Sequence, residues 1–495
     1  MTTVRDTPNS QPNTPAPISI RSTIALVCLA QFIMVLDVSI VNVALPAMQS
    51  ELRLDPQGLQ WVVNAYLLTF AGFLLLGGRA ADLYGRRRVF VAGLTAFAAA
   101  SLIGGLAITP GTLIAARALQ GLGAAIVSPA TLTILITSIP DGPQRARAIA
   151  TWAAVGAVGG AAGSLIGGVL TDHLSWRAIL LINVPIGAVA IVAALRLLTE
   201  TRDLRARRLD LIGAITVTFG LLALEFGVLN GSGHGWGSPH ALLPVTAGVL
   251  ALAVFVLVQA RFARVPLMPL SALQSRSMSG ALLMQLLLGA AGFAVWYFLS
   301  LYMQQELHLS ALQAGLAFLP HTLAIIVASK ATPQLVTRIG TRPLLITGAL
   351  VSATGFGWQA TVTPENDLIT GIILPGILIT GGMGLCSAPI TMTATAGASP
   401  DDAGMLSGIL NVSRQVGGSL GLAALTALAA GASGRQSSEY ALEFWVCGAL
   451  ATSSAVAAAV LPKAPRSEPK MPKGATAPPA AGAIEPRDCL REGAV

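Results

Sequence analysis

Fourteen apolar runs of about 20 residues each follow one another along this 495-residue chain. A helix of that length crosses the hydrocarbon core of a bilayer, and within lipid only helices and closed barrels satisfy every backbone hydrogen bond. The runs therefore predict an all-α membrane protein with 14 transmembrane helices. They cover approximately residues 22–46, 57–77, 88–108, 111–138, 147–170, 177–199, 209–230, 241–260, 279–303, 311–334, 343–362, 367–392, 404–430 and 440–462.

The charge content and its placement support this class. Charged residues make up 11% of the chain, whereas a soluble domain usually carries about 25%. If the N-terminus is inside, 24 of the 30 Lys and Arg residues lie in cytoplasmic segments and three in outer segments. This asymmetry predicts that both termini are cytoplasmic. The net charge of +8 therefore reflects topology, and we expect no nucleic-acid partner.

The runs are arranged as six, two and six. Related strings, GGRAADLYGRRRV and TRIGTRPLL, follow the second run of each block of six, and repeated halves are typical of secondary transporters. The predicted segments are a cytoplasmic N-terminal segment at 1–21, an N-terminal six-helix bundle at 22–199, a cytoplasmic linker at 200–208, an inserted helix pair at 209–262, a C-terminal six-helix bundle at 263–462 and a disordered cytoplasmic tail at 463–495.

Asp37 lies inside the first run, with no other charged residue between Ser22 and Gln49. A charge at bilayer depth costs about 2.5–3.5 kcal/mol on insertion scales, so it marks a functional site by default. Arg117 lies in the fourth run, and the two depths below the outer surface are roughly 13 Å for Asp37 and roughly 9 Å for Arg117. We predict that they form a proton-coupling pair, and the alternative is a static buried ion pair.

Three further residues within runs are candidates for contact with protons or substrate: Glu225, His321 and Arg414. The alternatives are an interfacial acid for Glu225, a satisfied buried histidine for His321, and bonding to nearby carbonyl groups for Arg414. The second block of six runs holds cations but no acid deep in a run. This pattern leaves neutral, weakly acidic and monocationic amphiphiles open as substrates.

Two glycine-containing stretches carry further predictions. In GGRAADLYGRRR, residues 77–88, Gly78 and Gly85 would permit a tight cytoplasmic turn, while Asp82 and Arg86 would hold it as a gate. In the fifth run, two adjacent rows of small residues predict close approach to another helix. The rows are Gly156, Gly160, Ser164 and Gly168, and beside them Gly159, Gly163 and Gly167.

Seven strings along the chain have the character of family motifs. They are GGRAADLYGRRR (77–88), LDVSIVNVALP (36–46), WVVNAYLL (61–68), RALQGLGAA (117–125), SWRAILLINVPIG (175–187), LQAGLAFLP (312–320) and SGILNVSRQVGGSLG (407–421). These strings resemble motifs of the fourteen-helix drug:proton antiporters of the major facilitator superfamily. The resemblance implies that the first and fourth helices line a central cavity and that Asp82 and Arg86 latch the cytoplasmic side. Gly159, Gly163, Gly167 and Gly168 match the antiporter motif of the fifth helix, although Ser164 replaces the usual Pro.

The resemblance implies a bacterial multi-pass plasma-membrane exporter that exchanges an amphiphilic small molecule, such as a drug or antibiotic, for protons. We expect a monomer that uses the proton gradient and no cofactor. The sequence contains no P-loop, GxSxG or HExxH string and no Cys/His cluster, so neither an enzyme nor a metal site is predicted. The alternatives are a proton-coupled uptake symporter and a non-transporting membrane sensor of the same fold.

Overall fold

A computed structural model of the chain describes residues 20–140, 142–201, 210–263, 267, 270–363, 365, 367–396, 400–431 and 439–462. Within these residues the chain forms helices and no strand, as the sequence predicts. The α-helices are α1 Ile20–Leu52, α2 Pro56–Tyr84, α3 Arg86–Gly105, α4 Pro110–Ser138, α5 Pro143–His173, α6 Trp176–Leu181, α7 Asn183–Leu197, α8 Leu211–His234, α9 Pro239–Leu257, α10 Arg276–Leu301, α11 Ala311–Ile339, α12 Thr341–Gln359, α13 Leu374–Ala394, α14 Pro400–Gly431 and α15 Glu439–Val460.

Most of these helices have the length and composition of membrane spans. In the described part of the chain, 11 helices are long and apolar enough to cross a bilayer, with α6 and α7 counted as one. A twelfth candidate is α2, whose two parts, Pro56–Leu74 and Leu76–Tyr84, meet at a bend of 50°. The predicted all-α membrane class is therefore confirmed, whereas the count of 14 spans stays a prediction.

The helices pack in two sets joined by a third element. In the first set α1 packs against α5 and α7, and α4 packs against α2 and α3. In the second, α10 packs against α14 and α15, and α13 packs against α11 and α12. Helices α8 and α9 pack on each other, and α8 also contacts α2 and α14. Residues 1–19, 202–208 and 463–495, which hold most of the predicted terminal segments and linker, lie outside the described residues.

The two sets meet at the end of the molecule that holds the α1–α2 turn, which we call the outer end after the charge-based prediction. Six hydrogen bonds join the sets there. Gln60 Nε2 donates to Leu422 O, Ser300 Oγ to Asn42 O, Gln304 Nε2 to Val43 O, and Gln305 Nε2 to Gln49 Oε1, while the backbone N–H groups of Ala311 and Leu312 donate to the carboxylate of Asp172. The seam between the sets is therefore closed at its outer end.

Backbone contact between α5 and α11 strengthens this closure. A Cβ at Gly168 would lie 2.6 Å from the carbonyl oxygen of Ala311, and a Cβ at Gly315 would lie closer still to the carbonyl oxygen of Ser164. Only glycine permits this approach, since real Cβ atoms do not come so near to backbone. Asp172, at the end of α5, accepts hydrogen bonds of 3.1 and 2.9 Å from the first N–H groups of α11, where the helix dipole favours an anion.

We expect Gly168→Ala to destabilise the protein, because the added methyl group must displace the α11 backbone. Overpacking of this kind costs about 1–3 kcal/mol, so the apparent midpoint of thermal unfolding of the detergent-solubilised protein should fall. The matched control is Gly381→Ala in α13, where an added Cβ meets nothing within 4 Å. An equal midpoint for both variants would contradict the tight α5–α11 contact.

Candidate functional site

Asp37 on α1 and Arg117 on α4 form an ion pair in the interior of the first helix set. Nη1 of Arg117 lies 2.6 Å from Oδ2 of Asp37. The side chains are 0% and 2% exposed, so water does not screen the attraction. The partners therefore lie together as the sequence predicts, at the depth where their helices face each other.

Neutral groups from three further helices complete the site. Asp37 Oδ1 accepts hydrogen bonds from Asn183 Nδ2 on α7 at 2.8 Å and from Gln120 Nε2 at 3.1 Å. Gln120 Nε2 also donates to Ser101 Oγ on α3 at 2.7 Å. Arg117 Nε donates to the carbonyl oxygen of Val62 on α2 at 3.0 Å. The carboxylate thus has three donors, one of them charged, which offset the loss of hydration on burial.

The aromatic ring of Tyr66 adds a further contact to Arg117. The guanidinium carbon lies 4.5 Å from the ring centroid, a distance at which the ring face attracts the cation. Tyr66 lies one helical turn after Val62 on α2, so both groups face α4. The guanidinium is consequently held between a carboxylate, a carbonyl oxygen and a ring.

Sequence reasoning missed Gln120, Asn183 and Ser101 as members of this site. Gln120 lies three residues after Arg117 on the same face of α4, a spacing that a helical reading of RALQGLGAA could have recognised. Asn183 starts α7, immediately after the break at Ile182 that divides the sixth apolar run into α6 and α7. The sequence signal for Asn183 was a single amide side chain within the apolar run 177–199.

The site stabilises two buried charges only while they stay together. Every polar neighbour of Asp37 donates a hydrogen bond to it. If a change in helix packing separated Arg117 from Asp37, both side chains would be left buried without a charge partner, which is costly. The packing of α4 on α1 therefore depends on the charges of these two side chains.

Glu225 lies on α8 at the junction of α8, α2 and α14. It is completely buried, so it is not the interfacial acid of the alternative interpretation. Its Oε2 accepts a hydrogen bond of 2.6 Å from Ser419 Oγ on α14, and Asn64 on α2 lies beside it. Glu225 therefore connects the inserted helix pair to both helix sets. It forms no ion pair among the described residues.

His321 lies on α11 and is buried within the second helix set. Its Nε2 lies 3.1 Å from the carbonyl oxygen of Ile372, and the rings of Trp296 and Phe318 lie at centroid distances of 6.4 and 5.8 Å. Gly376 lies against the imidazole so closely that any Cβ there would collide with the ring. This environment matches the satisfied buried histidine.

Arg414 lies midway along α14. Its Nη2 donates to Asn411 Oδ1 at 3.0 Å, and its guanidinium carbon lies 6.0 Å from the ring centroid of Phe293 on α10. It makes no ion pair with any described residue and is exposed. The structure therefore brings Asp37 and Arg117 together but leaves Glu225, His321 and Arg414 at three separate locations.

The predicted gating loop is a single-residue turn between two helices. Gly85 has φ +105°, which favours glycine, and Asp82 Oδ1 lies 3.2 Å from Arg86 Nη2. The prediction that Gly78 forms part of the turn is wrong, because α2 continues through it to Tyr84 and its position would accept a Cβ at 3.5 Å from Pro129.

Sequence reasoning also missed Glu200 as a partner of this loop. Its carboxylate accepts hydrogen bonds from the backbone N–H groups of Arg87 at 3.3 Å and Arg88 at 3.2 Å. These groups start α3 and have no partner within the helix, so the acid caps it. The segment that follows α7 is thereby bound to the loop.

The small residues of α5 lie mainly against α1, and Gly168 alone of the two rows would place its Cβ against α11. Gly159, Gly163 and Gly167 lie against α1, where an added Cβ would come within 3.0 Å of a backbone oxygen of that helix. Gly168 lies against α11. Ser164, which stands where the antiporter motif has Pro, contacts Ser39 Oγ at 3.1 Å and thus adds a polar link to α1.

Comparison with known proteins identifies the class. A family model described as Major Facilitator Superfamily matches residues 27–422, and a further match covers residues 281–490. The chain therefore belongs to the major facilitator superfamily. With its apolar helices and bacterial relatives, it is a multi-pass plasma-membrane transporter and not an enzyme.

Two relatives and one solved structure define its similarity more closely. The chain is 45% identical over 453 residues to the cephamycin export protein CmcT of Amycolatopsis lactamdurans, covering 90% of this chain and 93% of CmcT. It is 38% identical over 412 residues to the puromycin resistance protein pur8 of Streptomyces alboniger, covering 83% and 82% of the two chains. The nucleoside transporter NupG has the same fold, with a TM-score of 0.64, 13% identity and coverage of 89% and 99%.

We expect the stability losses of Asp37→Asn and Arg117→Gln to be non-additive. Removing one partner of a buried ion pair costs about 3–5 kcal/mol, because the other is left uncompensated. The double variant should therefore lose less than the sum of the two single losses in thermal unfolding midpoint. The matched control is the half-exposed pair Asp82–Arg86, whose coupling should stay below about 1 kcal/mol. Additive losses at Asp37 and Arg117 would reject the pair.

Proposed function

We propose that this protein is a proton-driven exporter of amphiphilic small molecules of the antibiotic type. The observation that carries the proposal is the buried Asp37–Arg117 pair. It lies within a major facilitator chain whose relatives include a cephamycin export protein and a puromycin resistance protein. In this proposal the proton gradient is the energy source and no cofactor takes part.

In the proposed cycle, the conformation with a closed outer seam is the one that has released its proton. Asp37 is then ionised and paired with Arg117, and the site is ready for substrate from the cytoplasm. Opening of the outer seam would displace Arg117, allow Asp37 to take up a proton from outside, and release substrate there. The proton would leave to the cytoplasm when the outer seam closes again and the pair re-forms.

Glu225 is proposed as a second proton-carrying group. It lies where α8 meets one helix from each set, so relative movement of α2 and α14 changes its surroundings. Its bond to Ser419 spans this junction at 2.6 Å. The conformational change that separates Asp37 from Arg117 would therefore also alter the contacts of Glu225.

The proposed topology has fourteen membrane helices and cytoplasmic termini. Helices α12 and α14 are long enough to cross a bilayer, which supports two further spans. In α12, Gly348, Ser352 and Gly355 lie against α13 and so are shielded from lipid. In this topology the Asp82–Arg86 loop and Glu200 lie on the cytoplasmic side as a gate. The protein would work as a monomer, since the proposed site lies within one chain.

The test is proton-driven accumulation of puromycin in everted membrane vesicles from a pump-deficient bacterium. Wild-type protein should accumulate puromycin under an imposed pH gradient and lose it on addition of a protonophore. Asp37→Asn should abolish accumulation while membrane insertion, measured by immunoblot, stays normal. Glu365→Gln, at an exposed acid between α12 and α13 that has no part in the proposed mechanism, serves as the charge-neutral control. Full accumulation by Asp37→Asn would remove Asp37 from the coupling mechanism.

The same vesicles separate the alternative functions. An uptake symporter would deplete puromycin from everted vesicles under the gradient that loads an exporter. A sensor of the same fold would move none in either direction. The close α5–α1 and α5–α11 packing at the antiporter-motif glycines supports export over uptake.

A further inference from the structure

The Arg414 guanidinium occupies an unusual position for a cation. It lies 14 residues from the start of α14 and 17 from its end, or roughly 20–25 Å from either. A charged group at such depth costs several kcal/mol unless it is paired or hydrated. Arg117 in the first helix set meets this requirement through Asp37. Arg414 has no equivalent partner among the described residues.

Acids of the described helices are too far away or face elsewhere. Glu443 lies four residues below the outer end of α15, roughly 20 Å above the depth of Arg414. Asp401 and Asp402 start α14 at least twelve residues earlier, roughly 18 Å along its axis. Glu225 binds Ser419, which is five residues after Arg414 and therefore about 140° around the helix from it.

Arg414 combines exposure with a position inside the helix set. Its side chain is exposed, although it lies deep among protein atoms. The helix that bears it packs against α10, α2, α8 and α15. Its backbone also lies directly against Gly289 of α10. The exposed guanidinium therefore borders a space beside α10.

Apolar and aromatic groups lie beside this cation. The guanidinium carbon lies 6.0 Å from the ring centroid of Phe293. Trp296 follows one turn later on α10, and its ring is tilted against that of Phe318 at a centroid distance of 4.7 Å. Met383 on α13 lies near the same stretch of α10, since a Cβ at Gly292 would meet its sulfur at 3.6 Å. Asn411 holds the guanidinium from one side through Nη2 only, which leaves further N–H donors available.

We propose that Arg414 binds the carboxylate of transported molecules that carry one, and that amphiphilic monoanions with an aromatic or apolar body are therefore among the substrates. The guanidinium fork matches a carboxylate with two parallel hydrogen bonds. Phe293 and Trp296 supply the apolar surface for the rest of the molecule. This inference rests on the proposed export function, and it assigns the second helix set to substrate recognition while the first carries the proton.

The test compares two fluorescent probes that differ only in charge, pyrenebutyrate and its uncharged amide, pyrenebutyramide. Binding to purified full-length protein in detergent is measured by energy transfer from tryptophan to pyrene, with protein-free micelles as the background. Wild-type protein should bind pyrenebutyrate about tenfold more tightly than the amide, since a hydrogen-bonded charge adds at least that factor. This comparison needs no variant.

Arg414→Gln should remove the preference by weakening pyrenebutyrate alone, and Arg414→Lys should retain most of it. Lys330→Gln, at another exposed cation of the second helix set, is the matched control and should change neither probe. Equal binding of the two probes by wild-type protein, or equal weakening of both by Arg414→Gln, would overturn the inference. If wild-type protein prefers pyrenebutyrate but never moves it under a pH gradient, the carboxylate site stands and the export function fails.

Discussion

The Asp37–Arg117 ion pair is the interaction on which the rest of the structure depends. At 2.6 Å and without exposure to water, it joins α1 to α4 and, through Asn183, Gln120 and Val62, reaches α7, α3 and α2. Separating a buried charge from its partner is strongly destabilising, because the charge is then left uncompensated. In the proposed cycle, this electrostatic penalty is what links helix movement to proton binding.

The two helix sets differ in how they treat charge. The first set surrounds its buried arginine with an acid, a carbonyl oxygen and an aromatic ring. The second leaves Arg414 exposed beside an aromatic side chain, without an acid in the described part of the chain. Between them, α8 holds a buried carboxyl group against α14. In the proposed mechanism, this division gives the proton and the substrate separate positions in one molecule.

The sequence could predict the partnership of Asp37 and Arg117 because helix rise converts residue number into depth, and charges in apolar runs are few. It could not predict Asn183 as a ligand of Asp37, since that contact depends on the break at Ile182 and on how α7 packs. The sequence also could not predict that Arg414 is exposed, because the neighbouring helices determine how a helix is rotated about its own axis. Gly78 was misassigned because a glycine within a motif string was interpreted as a turn without weighing helix continuity.

The central claim is that Asp37 carries the proton that is exchanged for substrate. The most direct measurement uses liposomes that contain the purified protein, puromycin and a pH-sensitive dye, diluted into puromycin-free buffer. Outward movement of puromycin should acidify the interior of wild-type liposomes beyond protein-free controls, whereas Asp37→Asn should release puromycin with no added acidification. Equal acidification by wild-type and Asp37→Asn protein would contradict the central claim.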